Sequence, residues 1–184
     1  MLDPYFKAML DAAAEANAPG LDTLPPEAAR EVYRTLKFGE EPPIGPVDAR
    51  DFTVPGKAGP VPVRLYTPKG APTTTPGIVF FHGGGWVIGD LEIYDSVCAE
   101  ICNTLGMTVV SVDYRLAPEH RFPAATEDCL AATRWVAGSP AEIDHPVTGV
   151  VPAGDSAGGN LAAVISQELQ GQLPVPIIAQ WLIY

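Results

Sequence analysis

Positive charge is scarce in this chain. Its 184 residues carry 11 Lys and Arg against 22 Asp and Glu, a net charge of −11. Nucleic acids and anionic membrane surfaces are bound through basic patches, and the basic residues here are scattered, so neither is expected as a partner. Cysteine is limited to Cys98, Cys102 and Cys129. The first two lie four apart on an expected helix and share a face. No further ligands stand nearby at zinc-site spacing, so no metal is expected and the odd count reads as buried free thiols. No apolar run reaches transmembrane length and no basic-then-apolar segment opens the chain. Those two absences point to a cytoplasmic protein. A last absence has the largest consequence: residues 157–184 contain no Asp and no His, and their single acid is Glu168.

What is present is globular, at 47% hydrophobic and 18% charged, with enough length to bury a real core. Gly154-Asp155-Ser156-Ala157-Gly158 has the G-x-S-x-G form that places a serine on a strained turn between a strand and a helix. The flanks agree. Val147–Val151 is a β-branched run, and Asn160–Ile165 opens a helix. Such a pattern also occurs by chance; the strand–turn–helix context argues against chance here. Earlier, His82-Gly83-Gly84-Gly85-Trp86 follows Gly77-Ile78-Val79-Phe80-Phe81, an apolar strand. A dinucleotide-binding loop would need a third glycine where Ile88 stands, with a helix starting there. A phosphate loop would need a Lys-Ser or Lys-Thr ending. The remaining use is an oxyanion hole, in which free backbone N–H groups face a developing negative charge.

A third segment, Val112-Asp113-Tyr114-Arg115-Leu116-Ala117-Pro118-Glu119-His120-Arg121-Phe122-Pro123-Ala124-Ala125, joins these two. In this order the three motifs resemble the hormone-sensitive-lipase-like family of α/β-hydrolases, over nearly the whole chain. The resemblance implies an α/β fold, a mostly parallel sheet with flanking helices and an N-terminal helical cap. It implies hydrolysis of small to medium acyl esters through an acyl-enzyme, without a metal or organic cofactor. Ser156 is then the nucleophile, the N–H groups of Gly83, Gly84 and Ala157 form the oxyanion hole, and His82 orients the loop. Asp113 and Asp155 are expected to hold loops. The family's triad runs Ser, then Asp or Glu, then His along the chain, and that order cannot be completed after Ser156. Glu168 sits well along a helix and reads as a surface carboxylate. His82, His120 and His145 each have a local structural explanation. The chain is therefore expected to supply nucleophile and oxyanion hole only, with the C-terminal part of the fold absent. The alternative is a non-catalytic ligand-binding module of the same fold, or an inactive fragment.

The organisation along the chain follows the same reading. Residues 1–46 are expected to form cap helices and linker, and residues 47–184 the N-terminal part of the catalytic domain. The first helix covers Leu2–Asn17. The second starts at Pro25-Pro26-Glu27, turns Val32, Tyr33 and Leu36 inward and stops by Gly39; a Pro-rich linker runs from Glu40 to Pro46. Asp51–Val54 and Val61–Tyr66 form an antiparallel pair. Helices at 94–105 and 124–136 then alternate with strands at 77–81, 107–112 and 147–151, which implies parallel pairing. The final run, 177–183, is apolar enough for an interior strand. Left open it is an aggregation hazard, so a further segment, a second chain or a homodimer partner is expected to cover it.

Overall fold

The computed structural model describes residues 2–16, 19–35, 47–70 and 74–184. Asn17, Leu36, Gly39 and the expected linker lie outside the described residues. Two helices come first. In α1 (Pro4–Glu15) the Asp3 side chain accepts the Tyr5 N–H at 2.8 Å and proline opens the first turn; both are start signals, since the first-turn donors have no partner within the helix. Helix α2 (Pro26–Thr35) also opens on proline, with Glu27 in its first turn and Arg34 in its last, as the helix dipole favours.

The sheet begins with a hairpin of β1 (Val47–Gly56) and β2 (Gly59–Pro68), longer than the alternating segments alone suggest, closed at Gly56 and Gly59. The chain continues through β3 (Thr75–Phe81), α3 (Asp95–Leu105), β4 (Thr108–Val112), α4 (Ala124–Ala137), β5 (Val147–Asp155), α5 (Ala157–Leu169) and β6 (Trp181–Ile183). The strand order is β1-β2-β4-β3-β5-β6. The first two pairings are antiparallel and the other three parallel. This is an α/β-hydrolase type of sheet, as expected.

Alternation along the central strands divides the core. Val79, Phe81, Val110 and Val112 face Cys129, Val136, Leu161 and Ile165 of α4 and α5. Ile78, Phe80 and Val109 face Cys98 and Cys102 of α3 on the other side. Each large apolar side chain buried this way contributes about 1.5–3 kcal/mol. Burial on both faces explains why β3 and β4 read as continuous apolar runs. The three thiols are buried and unpaired, as expected, and burial pushes those of Cys98 and Cys102 up to about 12.

The last strand departs from expectation. Ile177 bridges Val150, and Trp181–Ile183 pair with Ala153–Asp155, but residues 178–180 form no strand. The pairing shifts by one residue across this gap, opposite Pro152, which has no N–H to offer. The outer edge of β6 meets no strand among the described residues, and Ile178, Trp181 and Leu182 are 52%, 42% and 43% exposed. No helix among the described residues is long and apolar enough to cross a membrane.

Candidate active site

Phe81, the last residue of β3, lies opposite Gly154 near the end of β5. The loop after β3 and the turn after β5 therefore leave the sheet side by side. From β5 the chain reverses into α5 through Ser156, whose φ of 50° and ψ of −115° are a strained conformation for a residue with a side chain. Packing maintains it. A Cβ on Gly154 or on Gly158 would run into the Phe81 carbonyl oxygen, so both flanking positions admit only glycine. The Ser156 N–H donates to the Ile183 carbonyl at 2.9 Å. The side chain is left exposed at the start of α5.

The other half of the site is the loop from His82 to Asp90. His82 is fully buried, stacked on Tyr114 at 4.3 Å between ring centroids. Its Nδ1 lies 2.7 Å from the Gly83 carbonyl. A carbonyl only accepts, so Nδ1 carries the proton. Burial lowers the imidazole pKa and keeps the ring neutral; Nε2 is buried with no partner among the described residues. Tyr114 in turn donates its O–H to the His82 carbonyl at 2.6 Å.

Gly83 does not do what the sequence suggested. Its N–H donates to Asp155 Oδ1 at 2.9 Å and approaches the Tyr94 hydroxyl at 3.1 Å. It is thus occupied and unavailable to an oxyanion. Tyr94 donates its own proton to Asp155 Oδ2 at 2.9 Å. Asp155 therefore ties the elbow to the loop, as expected of a loop-holding aspartate. The other aspartate expected in that role, Asp113, differs: its carboxylate takes no hydrogen bond from the described residues, and only its backbone N–H is engaged, with Pro62.

The N–H groups of Gly84, Gly85 and Ala157 find no acceptor among the described residues, and one geometry orients all three. A trans peptide points its N–H opposite its C=O, so a bond to the carbonyl aims the N–H at the far end. The Gly83 carbonyl is held by His82 Nδ1, which aims the Gly84 N–H. The Gly84 carbonyl accepts from Val87 and Ile88, both at 3.0 Å, which aims the Gly85 N–H. The Ser156 carbonyl accepts from the Asn160 N–H at 3.1 Å and from the Tyr184 hydroxyl at 2.6 Å, which aims the Ala157 N–H. Ala157 is also the first residue of α5, where the helix dipole favours negative charge. Positive φ at Gly84 (115°), Gly85 (60°) and Trp86 (60°) gives the loop its shape. Of the three N–H groups that the sequence reading names, those of Gly84 and Ala157 are unoccupied and that of Gly83 is not. Gly85, which the sequence reading does not single out, stands in the same glycine run; Gly83 is the one occupied, by Asp155, 72 positions away.

Comparison with known proteins agrees with this fold. A profile of the α/β-hydrolase fold matches residues 78–184. The chain is 40% identical over 192 aligned positions to the carboxylic ester hydrolase LipN of Mycobacterium tuberculosis, covering 100% of this chain and 50% of that protein. It is 43% identical to the esterase LipI of the same organism, over 86% of this chain and 49% of that one. Among solved structures, a hyperthermophilic esterase from the archaeon Pyrobaculum calidifontis superposes with a TM-score of 0.83 at 35% identity, over 97% of this chain and 57% of that one. The chain belongs to the hormone-sensitive-lipase-like family of α/β-hydrolases. It spans about half the length of the curated relatives it matches.

Proposed function

We propose that this chain supplies the nucleophile and the oxyanion hole of a serine carboxylic ester hydrolase. Ser156 Oγ attacks the ester carbonyl, and the N–H groups of Gly84, Gly85 and Ala157 receive the oxygen as it gains charge. The observation that carries this reading is a strained, exposed serine and a glycine loop with unoccupied N–H groups leaving the sheet from adjacent strand ends. His82 is a positioning residue in this scheme, with both ring nitrogens in the core. Gly83 anchors the loop. A histidine outside residues 1–184, oriented by an acid that is also outside them, accepts the serine proton, passes it to the leaving alcohol and then activates the water that releases the acyl group. The portion of the fold that brings them also covers the open edge of β6; the relatives' greater length supports this. The ester is a small molecule with a small to medium acyl chain. A cavity of about 340 Å³ lined by Gly85, Trp86, Ala117 and Phe122 fits groups of that size.

The test is Ser156→Ala in the full-length protein, assayed on a short p-nitrophenyl ester and with a fluorophosphonate probe. Loss of a nucleophilic serine typically lowers kcat by about 10⁶-fold, and labelling should vanish with it. A wild-type protein that the probe does not label would instead identify a ligand-binding module of the same fold.

A further inference from the structure

Helix α2 holds the oxyanion loop from outside the sheet. Arg30 donates from Nε to the Val87 carbonyl at 2.7 Å and from Nη2 to the Ala117 carbonyl at 2.9 Å. The same guanidinium forks onto Glu119, at 3.0 Å and 2.7 Å, and draws that carboxyl down to about 2. One turn further along, Arg34 Nε donates to Asp90 Oδ2 at 2.6 Å. The two backbone carbonyls are the informative contacts. Val87 belongs to the turn whose N–H groups hold the Gly84 carbonyl and thereby aim the Gly85 N–H. Ala117 donates its own N–H to the Trp86 carbonyl at 2.8 Å. One planar cation thus joins the glycine turn to the 113–123 connection at consecutive peptides. Its side chain is 22% exposed, so water competes weakly for these bonds. The turn needs such support, because Gly84, Gly85 and Trp86 all have positive φ and the two glycines lose much conformational freedom when fixed.

We propose that Arg30 is a positioning residue for transition-state stabilisation: by binding the Val87 and Ala117 carbonyls together it sets the aim of the Gly85 N–H, so that docking of α2 controls the oxyanion hole. This rests on the reading of Gly85 as an oxyanion donor. Arg30 touches no reacting atom and acts through the turn. Lysine cannot replace it, because an ammonium carries the charge without the rigid fork that reaches two carbonyls at once.

The experiment compares wild type, Arg30→Ala, Arg30→Lys, Glu119→Gln and Ser156→Ala in the full-length protein. It measures kcat and KM on p-nitrophenyl butyrate, Ki for an alkyl trifluoromethyl ketone, and the thermal midpoint. The ketone is attacked by Ser156 and places its hemiketal oxygen in the oxyanion hole. Removing one oxyanion donor costs about 10²–10³ in kcat; a misaimed donor should cost about 10–100-fold, with KM within about threefold and Ki weakened in parallel with kcat. Arg30→Lys should fall with Arg30→Ala. Glu119→Gln, which leaves both carbonyl contacts in place, should stay within about threefold of wild type. A purely structural role would lower the thermal midpoint and leave kcat and Ki of the folded enzyme unchanged; with Ser156→Ala inactive, that result overturns the proposal alone. Full activity in Arg30→Lys overturns it too, and this holds even if Arg30→Ala does not fold. An active Ser156→Ala would instead sink the esterase reading beneath it.

Discussion

The two halves of the candidate site are held in different ways. The elbow is fixed by exclusion: with no room for a Cβ at Gly154 or Gly158, β5 and α5 close against the Phe81 carbonyl and force Ser156 into its strained turn. The glycine loop is fixed by attachment. Hydrogen bonds with His82, Asp155, Tyr94, Tyr114 and Arg30 hold it from several parts of the chain. Exclusion is local, needs only small residues at set spacing, and fails abruptly. Attachment is distributed and fails by degrees. The halves should therefore respond differently to substitution, and three experiments can break or sharpen the contrast.

The largest effect is expected at Gly158. Its replacement by alanine sets a Cβ against backbone oxygens of Phe81 and His82, which cannot move without disturbing β3. Destabilisation above about 4 kcal/mol, or an insoluble product, is expected. Gly171→Ala is the matched control: φ there is 72° and a Cβ meets nothing within 4 Å, so the cost should be about 1–2 kcal/mol. Urea unfolding of both variants reads the difference. If Gly158→Ala costs no more than Gly171→Ala, the elbow is not held by exclusion.

The next effect is expected at Asp155. Alanine there frees the Gly83 N–H and leaves the Tyr94 hydroxyl without its acceptor. The fold should survive while the loop loses its tie to the elbow, and kcat should fall by about 10²-fold, the scale of one oxyanion donor. Asp155→Asn keeps one acceptor oxygen for the Gly83 N–H and should lose about tenfold or less. Steady-state kinetics of the two variants gives the test. Equal losses would mean that the charge of Asp155, and not its grip on Gly83, is what matters.

The same division explains what the sequence reveals. The elbow is legible because exclusion is written in consecutive residues, Gly154 to Gly158. The glycine run is legible as a loop, but which of its N–H groups stay free is not. That depends on Asp155 reaching back to Gly83, and no spacing rule within His82–Trp86 contains it. Arg30 leaves no signal at all in the sequence; it reads as one more surface charge on an amphipathic helix until α2 is seen against Val87 and Ala117. The final apolar run announces neither its exposure nor its pairing among the described residues: Ile178, Trp181 and Leu182 are exposed. Hydrophobicity asks for a cover over residues 177–183, while Pro152 on the neighbouring strand limits where the hydrogen bonds can form.

The smallest effect concerns the aspartate whose carboxylate takes no hydrogen bond from the described residues. Asp113 and Asp155 both stand in motif segments beside the site, yet only Asp155 has hydrogen-bond donors to offset its burial. Asp113 is pushed up to about 6, first by burial and then by the charge of Asp90, with Arg34 and Arg64 opposing less strongly. In the unfolded chain an aspartate titrates near about 3.9. Between those values the folded protein binds more protons than the unfolded one, so stability falls as pH rises from about 4 through about 6 and is level above that. Asparagine has nearly the same shape and no charge to desolvate. Asp113→Asn should therefore raise the unfolding free energy by about 1–3 kcal/mol at pH 8 and leave it nearly unchanged at about pH 3, because the aspartate is then largely protonated in both states. Urea unfolding at the two pH values measures this, with equal m-values required for the comparison. A gain of equal size at both pH values would assign the effect to shape or packing. No gain at pH 8 would mean that Asp113 has a compensating donor after all, and that it belongs with Asp155 among the attachments of the site.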